Sequence, residues 1–227
     1  MSSTALIPLL LTLKVAVCAT VIACTLGVTA GYALARTRWR GRDTADALLI
    51  LPLVLPPTVL GYYLLVAFGQ TSALGAWLEG TLGVHLIFTW QGAAAAAAVV
   101  AFPLVFKASR AAFEAVDPTL EKAGRALGYD GWTVFARVTL PLAWRGVVAG
   151  AMLAFARATG EFGATLMVAG NIPGRTQTLS IAIYEAVNAG DDAQAGTLVA
   201  IVSAVCVVLL VAANLLTRRG HMRVVPV

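Results

Sequence analysis

The chain is expected to fold as an all-α integral membrane protein of about five transmembrane helices, N-terminus outside and C-terminus cytoplasmic. Three observations carry that expectation. Of its 227 residues, 59% are hydrophobic and only 12% charged, with a mean hydropathy of +0.85, whereas soluble domains carry about 25% charged residues. Five apolar segments reach the roughly 20 residues that a spanning helix needs. The basic residues gather between alternate pairs of these segments.

The first segment covers residues 15–35. Residues 1–23 do not read as a cleaved leader, because no basic residue precedes the apolar stretch and Lys14 interrupts it, so they are expected to be retained. The second, 47–68, contains LPLVLPPTVLG with Pro52, Pro56 and Pro57. Proline removes a backbone donor and clashes with the preceding turn, which predicts a kink or break near the bilayer centre. Such a kink either only bends the helix or shapes a gate, and Gly61, Tyr62 and Tyr63 follow it directly. Residues 71–84 are short, Gly-rich and hold Glu79, and read as a loop or re-entrant turn in preference to a sixth span. The third segment, 86–106, includes the alanine run 93–98; the fourth, 146–170, is apolar except for Arg157 and Glu161; the fifth is 198–216. No Ser/Pro-rich linker divides the chain, so residues 1–227 are expected to form one membrane domain.

Charge sets the orientation. The first loop holds Arg36, Arg38, Arg40 and Arg42, the third holds Lys107, Arg110, Lys122, Arg125, Arg137 and Arg145, and the tail holds Arg218, Arg219 and Arg223. These are the cytoplasmic side by the positive-inside rule. The opposite segments carry Glu79, Glu185, Asp191 and Asp192, with Arg175. The net charge of +5 therefore reports topology, and no soluble domain is left to hold nucleic acid.

The longest cytoplasmic segment, 113–146, reads as a joint. Asp117 and Pro118 are an N-cap and first helical residue, Gly128 stops the helix, and a second short helix begins near Asp130 and runs to Pro141. Leu120, Leu127, Trp132 and Phe135 give it more apolar surface than a solvated loop needs, which points to helix-in-groove docking on a partner.

EKAGRALGYDGWTVFARVTLP resembles the EAA loop of bacterial ABC-importer permeases: Glu-Ala-Ala, a short spacer, Gly, nine residues, an aliphatic residue, any residue, then Leu-Pro. Gly128 is followed by nine residues and then Val138, Thr139, Leu140 and Pro141. Lys122, Ala123 and Gly124 stand where Glu-Ala-Ala would be, with Glu121 one position earlier. Together with LPLVLPPTVLGYYLL and GEFGATLMVAGNIPGRTQTLSIAIY, the loop is similar to the permease subunit of molybdate ABC importers, with sulfate permeases as near relatives. The sulfate group typically has a Tyr-Gly-Ser type sequence where this chain has Phe162, Gly163 and Ala164.

The resemblance implies a type I ABC-importer permease in the bacterial inner membrane. It also implies a homodimer, two cytoplasmic ATPase subunits and an external oxyanion-binding protein. Glu121, Lys122, Ala123, Gly124, Gly128, Asp130, Leu140 and Pro141 would form the coupling loop. ATP and Mg would sit on the partner subunit, with no cofactor on this chain, and no G-x-x-x-x-G-K-[ST] phosphate loop occurs in it.

Arg157 and Glu161, four residues apart, are placed to neutralise each other within an apolar segment, where unpaired charge is expensive. With Pro56, Pro57, Gly163 and Thr165 they are the candidate gate or translocation path. The small residues Gly160, Gly163, Ala164 and Thr165 suit close helix packing. Asn171 and Arg175 close this segment at the outer face as candidate contacts for the binding protein. No metal site is expected: Cys18, Cys24 and Cys206 lie in apolar runs without CxxC or neighbouring histidine. A secondary transporter or channel would not need the docking loop. An intramembrane enzyme built on Glu161 would lack a histidine at comparable depth or a serine or cysteine nucleophile beside it.

Overall fold

The structure is a computed structural model and describes residues 3–37 and 39–218. Arg38, Arg219 and Arg223, counted above toward the topology, lie outside the described residues. Eleven α-helices and one π-helical turn follow in order: α1 Ser3–Arg36, α2 Arg42–Val54, α3 Pro57–Phe68, α4 Ala73–Leu82, α5 Trp90–Glu114, α6 Pro118–Ala126, α7 Gly131–Val134, the π turn Phe135–Thr139, α8 Leu140–Thr159, α9 Gly163–Ala169, α10 Leu179–Asn188 and α11 Asp192–Arg218. No strand occurs among the described residues.

Small residues set the core. Ala16, Ala19 and Ala23 of α1 pack against Ala93, Ala94, Ala97, Ala98 and Ala101 of α5, and Ala154 and Ala158 of α8 close the cluster. Without side chains to keep them apart, the helix backbones approach closely, which is how membrane helices gain packing where lipid and leucine are equally apolar. A Cβ on Gly150 of α8 would come within 2.8 Å of Ala108 Cβ on α5. The alanine run is thus a helix–helix interface. The apolar side chains of Leu10, Val17, Val21 and Leu26 on α1 stay exposed in the isolated chain, as expected of residues that face lipid or another subunit.

The expected spans are partly redrawn. α1, α5 and the continuous helical stretch Gly131–Thr159 are each long and apolar enough to cross a membrane. The second expected span is broken: α2 and α3 meet at an angle of 107°. Leu55 and Pro56 are extended there, with ψ of 140° and 136°, because the residue before a proline avoids helical backbone and both carry that restriction. The fourth expected span, 146–170, is two elements. Its helix starts earlier, since Pro141 lies in the first turn of α8, where a missing N–H costs little. It ends at Thr159, and α9 resumes beyond Glu161 and Phe162.

Residues 71–84 hold a helix, α4, where a loop or re-entrant turn was expected. Ser72 caps its start by accepting the Gly75 N–H at 2.8 Å, and Gly83 ends it at φ +62°. Helix α11, which contains the fifth expected span, begins at Asp192, earlier than the apolar run alone indicates, and its stretch Asp192–Val208 is an apolar helix shorter than a full crossing. Helix α10 packs on the first turns of α1, where the Thr12 hydroxyl accepts the Leu179 N–H at 2.8 Å.

Charge pairs tie the opposite end together. Asp46 of α2 lies between Lys107, at 2.8 Å, and Arg110, while Glu114 accepts from Arg110 Nε at 2.9 Å and pairs with Arg42. Arg42, Lys107 and Arg110 of the topology count are therefore engaged, with Arg36, in holding the loops to the helices.

Candidate functional site

The segment 117–134 is a helix, a tight turn and a second helix. Asp117 caps α6 by accepting the Thr119 N–H at 2.8 Å, and that backbone donor, with the Thr119 hydroxyl, holds its carboxyl below the ordinary aspartate value. Gly128 turns the chain at φ +87°, with nothing within 4 Å of where a Cβ would stand. Asp130 then caps α7; the Thr133 hydroxyl is the chief cause of its lowered pKa, and the Trp132 N–H adds to it at 3.1 Å.

Glu121 holds this segment to the membrane helices. Its Oε1 accepts Arg36 Nε at 2.9 Å, Arg36 Nη2 at 2.6 Å and the Thr139 hydroxyl at 2.7 Å, and the residue is only 5% exposed. Gly124 is also turned inward, 3.2 Å at its would-be Cβ from Val134. Glu121 and Gly124 are thus anchors and are not presented to a partner. Phe135 is corrected too: its ring packs on Tyr32 and Phe113, at centroid distances of 4.6 and 6.0 Å. What faces outward is Leu120, Tyr129, Leu127 at 76% and Trp132 at 73% exposure, with Lys122 and Ala123 beside them.

The second locus is where the two helix breaks meet. Helix α9 packs on α3. A Cβ on Gly163 would stand 2.9 Å from Pro57 Cβ, and one on Gly61 would stand 2.8 Å from Met167 Cβ and 2.9 Å from Ala164 Cα. These glycines let α3 and α9 touch nearly backbone to backbone.

Arg157 and Glu161 sit across the second break, not along one helical face. Arg157 is in the last turn of α8 and Glu161 lies beyond its end. Glu161 Oε1 accepts the Ala164 N–H at 2.9 Å, satisfying the start of α9, while Oε2 lies 2.7 Å from Arg157 Nη1. That ion pair falls outside hydrogen-bond angles, so its contribution to Oε2 is charge compensation. The Glu161 side chain is 1% exposed and Arg157 32%. Thr165 is enclosed as well, so in this conformation Glu161 and Thr165 do not line an open path, whereas Pro56 and Pro57 are exposed.

At the far end, Asn171 and Arg175 are both exposed. Glu185 fixes their loop, accepting from Asn171 at 2.6 Å and from Gln177 at 2.5 Å. Leu140 and Pro141 lie inside the continuous helix leaving the π turn. Arg36 and Thr139 escaped the sequence reading. Arg36 looked like a topology charge, and Thr139 fell on the unconstrained position of the motif.

Residues 25–222 match the family described as the binding-protein-dependent transport system inner membrane component. The chain belongs to that family. The molybdenum transport system permease protein ModB of Escherichia coli (strain K12) is 42% identical over 215 residues, 94% of each chain. The sulfate transport system permease protein CysT of the same organism is 34% identical over 199 residues, 88% of this chain and 72% of that one. A solved structure of the MetNI methionine ABC transporter, in an inward-facing conformation, superposes with a TM-score of 0.74, covering 96% of this chain and 99% of that one at 18% identity. The fold of this family member is that of an ABC-importer permease.

Proposed function

We propose that this chain is the transmembrane permease subunit of an ATP-driven oxyanion importer whose cargo is molybdate. It would work as a homodimer in the bacterial inner membrane, with two ATPase subunits that carry ATP and Mg and an external binding protein. The observation that carries this reading is the loop 117–134, whose apolar residues Leu127 and Trp132 face outward while Glu121 is buried and triply bonded beneath them. A surface helix kept for its own packing would turn those groups in. The extensive likeness to the molybdenum permease, stronger than that to the sulfate permease, supports the cargo.

The geometry supplies a mechanism. A partner that moves the loop moves Arg36 and α1 through Glu121. It also moves the stretch Gly131–Thr159, 29 residues and about 44 Å at 1.5 Å per residue. That lever ends at Arg157, and Glu161 transmits its position to α9, which bears on Pro57 and Gly61 of α3. Motion at the loop thereby opens or closes the contact between the two breaks. Gly163, Thr165, Arg157 and Glu161 belong to this gate, with Pro56 and Pro57 opposite; Asn171 contacts the binding protein.

Leu127→Asp or Trp132→Asp should abolish co-purification with the ATPase subunit while leaving membrane insertion intact. Undiminished co-purification would refute the docking face. Single-cysteine labelling in a cysteine-free background should find positions near Arg40 and Trp132 cytoplasmic and positions near Gly80 and Asp191 external. A label pattern requiring an even number of crossings would refute the orientation.

A further inference from the structure

At the end of the helices opposite the coupling loop lies a cleft of about 390 Å³, walled by Lys14 of α1, Thr89, Trp90 and Gln91 at the start of α5, and Arg175 and Thr176 of the loop before α10. Two features mark it. The Lys14 ammonium lies 3.6 Å above the Trp90 ring and has no carboxylate partner among the described residues. Arg175 makes no side-chain ion pair among them either.

Three of the four acids at that end are engaged elsewhere: Glu79 lies 3.5 Å from His85, Glu185 holds Asn171 and Gln177, and Asp191 accepts the Gln194 N–H at 2.9 Å; Asp192, at the start of α11, is not part of the cleft wall. No carboxylate lines the cleft. At the opposite end of the helices Arg36, Arg42, Lys107 and Arg110 are each matched to an acid.

We propose that this cleft is a binding site for a tetrahedral oxyanion, with Arg175 supplying a planar fork and Lys14 a point charge. Guanidinium suits such ligands because its paired N–H groups match two oxygens at once, and ammonium adds attraction without directionality. The Trp90 ring holds the Lys14 ammonium at the wall of the cleft. The inference rests on the importer reading for its placement at the outer face, where it would receive anions before the gate. The same chemistry has two sources there, free molybdate or sulfate and the phosphodiester of an anionic lipid.

The test uses the permease–ATPase complex in lipid nanodiscs and reads Trp90 emission as the difference between the native protein and Trp90→Phe. In zwitterionic lipid, added molybdate or sulfate should give a saturable change. Lys14→Gln with Arg175→Gln should weaken it at least about tenfold, the effect of losing one hydrogen bond to a charged group, and Lys14→Arg should keep it. If lipid phosphodiester is the occupant, the free-anion response is absent. Native mass spectrometry from anionic nanodiscs should then show bound phospholipid that the double variant loses. Thermal unfolding of each variant confirms that it is folded, with Lys14→Arg as the charge-conserving control.

An unchanged response in the double variant, or neither anion response nor lipid retention in the native complex, overturns the site. So does a double variant that weakens only binding-protein affinity, since the two charges would then serve protein docking. Binding is read without turnover. Retained binding in a complex that transports no oxyanion would thus refute the importer reading and leave the site standing.

Discussion

Glu121 accepts two N–H groups of Arg36, at 2.9 and 2.6 Å, across 85 positions of sequence. The pair joins the end of α1 to α6, the first helix of the proposed coupling loop. Thr139 supplies the third bond. Glu121 is nearly enclosed and Arg36 is 19% exposed at its side chain, so removing one partner strands a charge in a poor solvent. Breaking a buried pair typically costs about 3–5 kcal/mol, and the partial exposure of Arg36 places the expected loss at or below the lower figure. Arg36→Gln and Glu121→Gln should each lower thermal stability and uncouple ATP hydrolysis from uptake. The double change should cost less than the sum. Additive losses in a double-mutant cycle would contradict direct coupling.

Gly128 separates backbone strain from contact. Its φ of +87° disfavours a side chain, yet no atom lies within 4 Å of its would-be Cβ. Gly128→Val should therefore act through the turn alone, at about 1–2 kcal/mol, reducing ATPase association without hindering insertion. Gly128→Asn, which tolerates left-handed backbone, should be milder. Equal effects of the two changes would show that the turn is not what the loop requires.

Arg157 and Glu161 are not equivalent halves of a pair. Glu161 also accepts the Ala164 N–H, so Glu161→Ala removes both a charge partner and the acceptor of a buried N–H in the first turn of α9, a donor that costs about 1–3 kcal/mol when left unsatisfied. Glu161→Ala should destabilise the protein more than Arg157→Ala, and Glu161→Gln should recover part of the difference. Equal thermal shifts for the two alanine variants would argue against the acceptor role.

The contact between the two breaks predicts sensitivity to single methyl groups. Gly61→Ala and Gly163→Ala would each bring a Cβ within 3 Å of α9 or α3 atoms. Overpacking of this kind costs about 1–3 kcal/mol. Uptake should fall sharply while the complex still assembles and hydrolyses ATP. Normal uptake in both variants would remove α3 and α9 from the gate.

What the sequence made legible was governed by local rules. Asp117, Pro118, Gly128 and Asp130 announce their caps and turn by chemistry that acts within four residues, and the structure places each as expected. The two prolines likewise announced a break. The angle of 107° did not follow, because it depends on what α3 packs against. Residues 146–170 read as one span since hydropathy cannot register a stop at Thr159 when apolar residues continue past it. Helix α4 was missed because its start and stop signals, Ser72 and Gly83, were outweighed by a glycine-rich composition. Arg36 and Thr139 could not be found locally at all, since their partner is supplied by the tertiary fold.

Cargo and energy source are both read by uptake into proteoliposomes containing the permease, its ATPase and the binding protein, with molybdate, tungstate and sulfate competing at equal concentration. The expected result is ATP-dependent accumulation of molybdate, competition by tungstate, whose size and charge are similar, and weak competition by sulfate. Preferential sulfate uptake would contradict the assigned cargo, and uptake that persists without ATP or the ATPase subunit would contradict the importer itself.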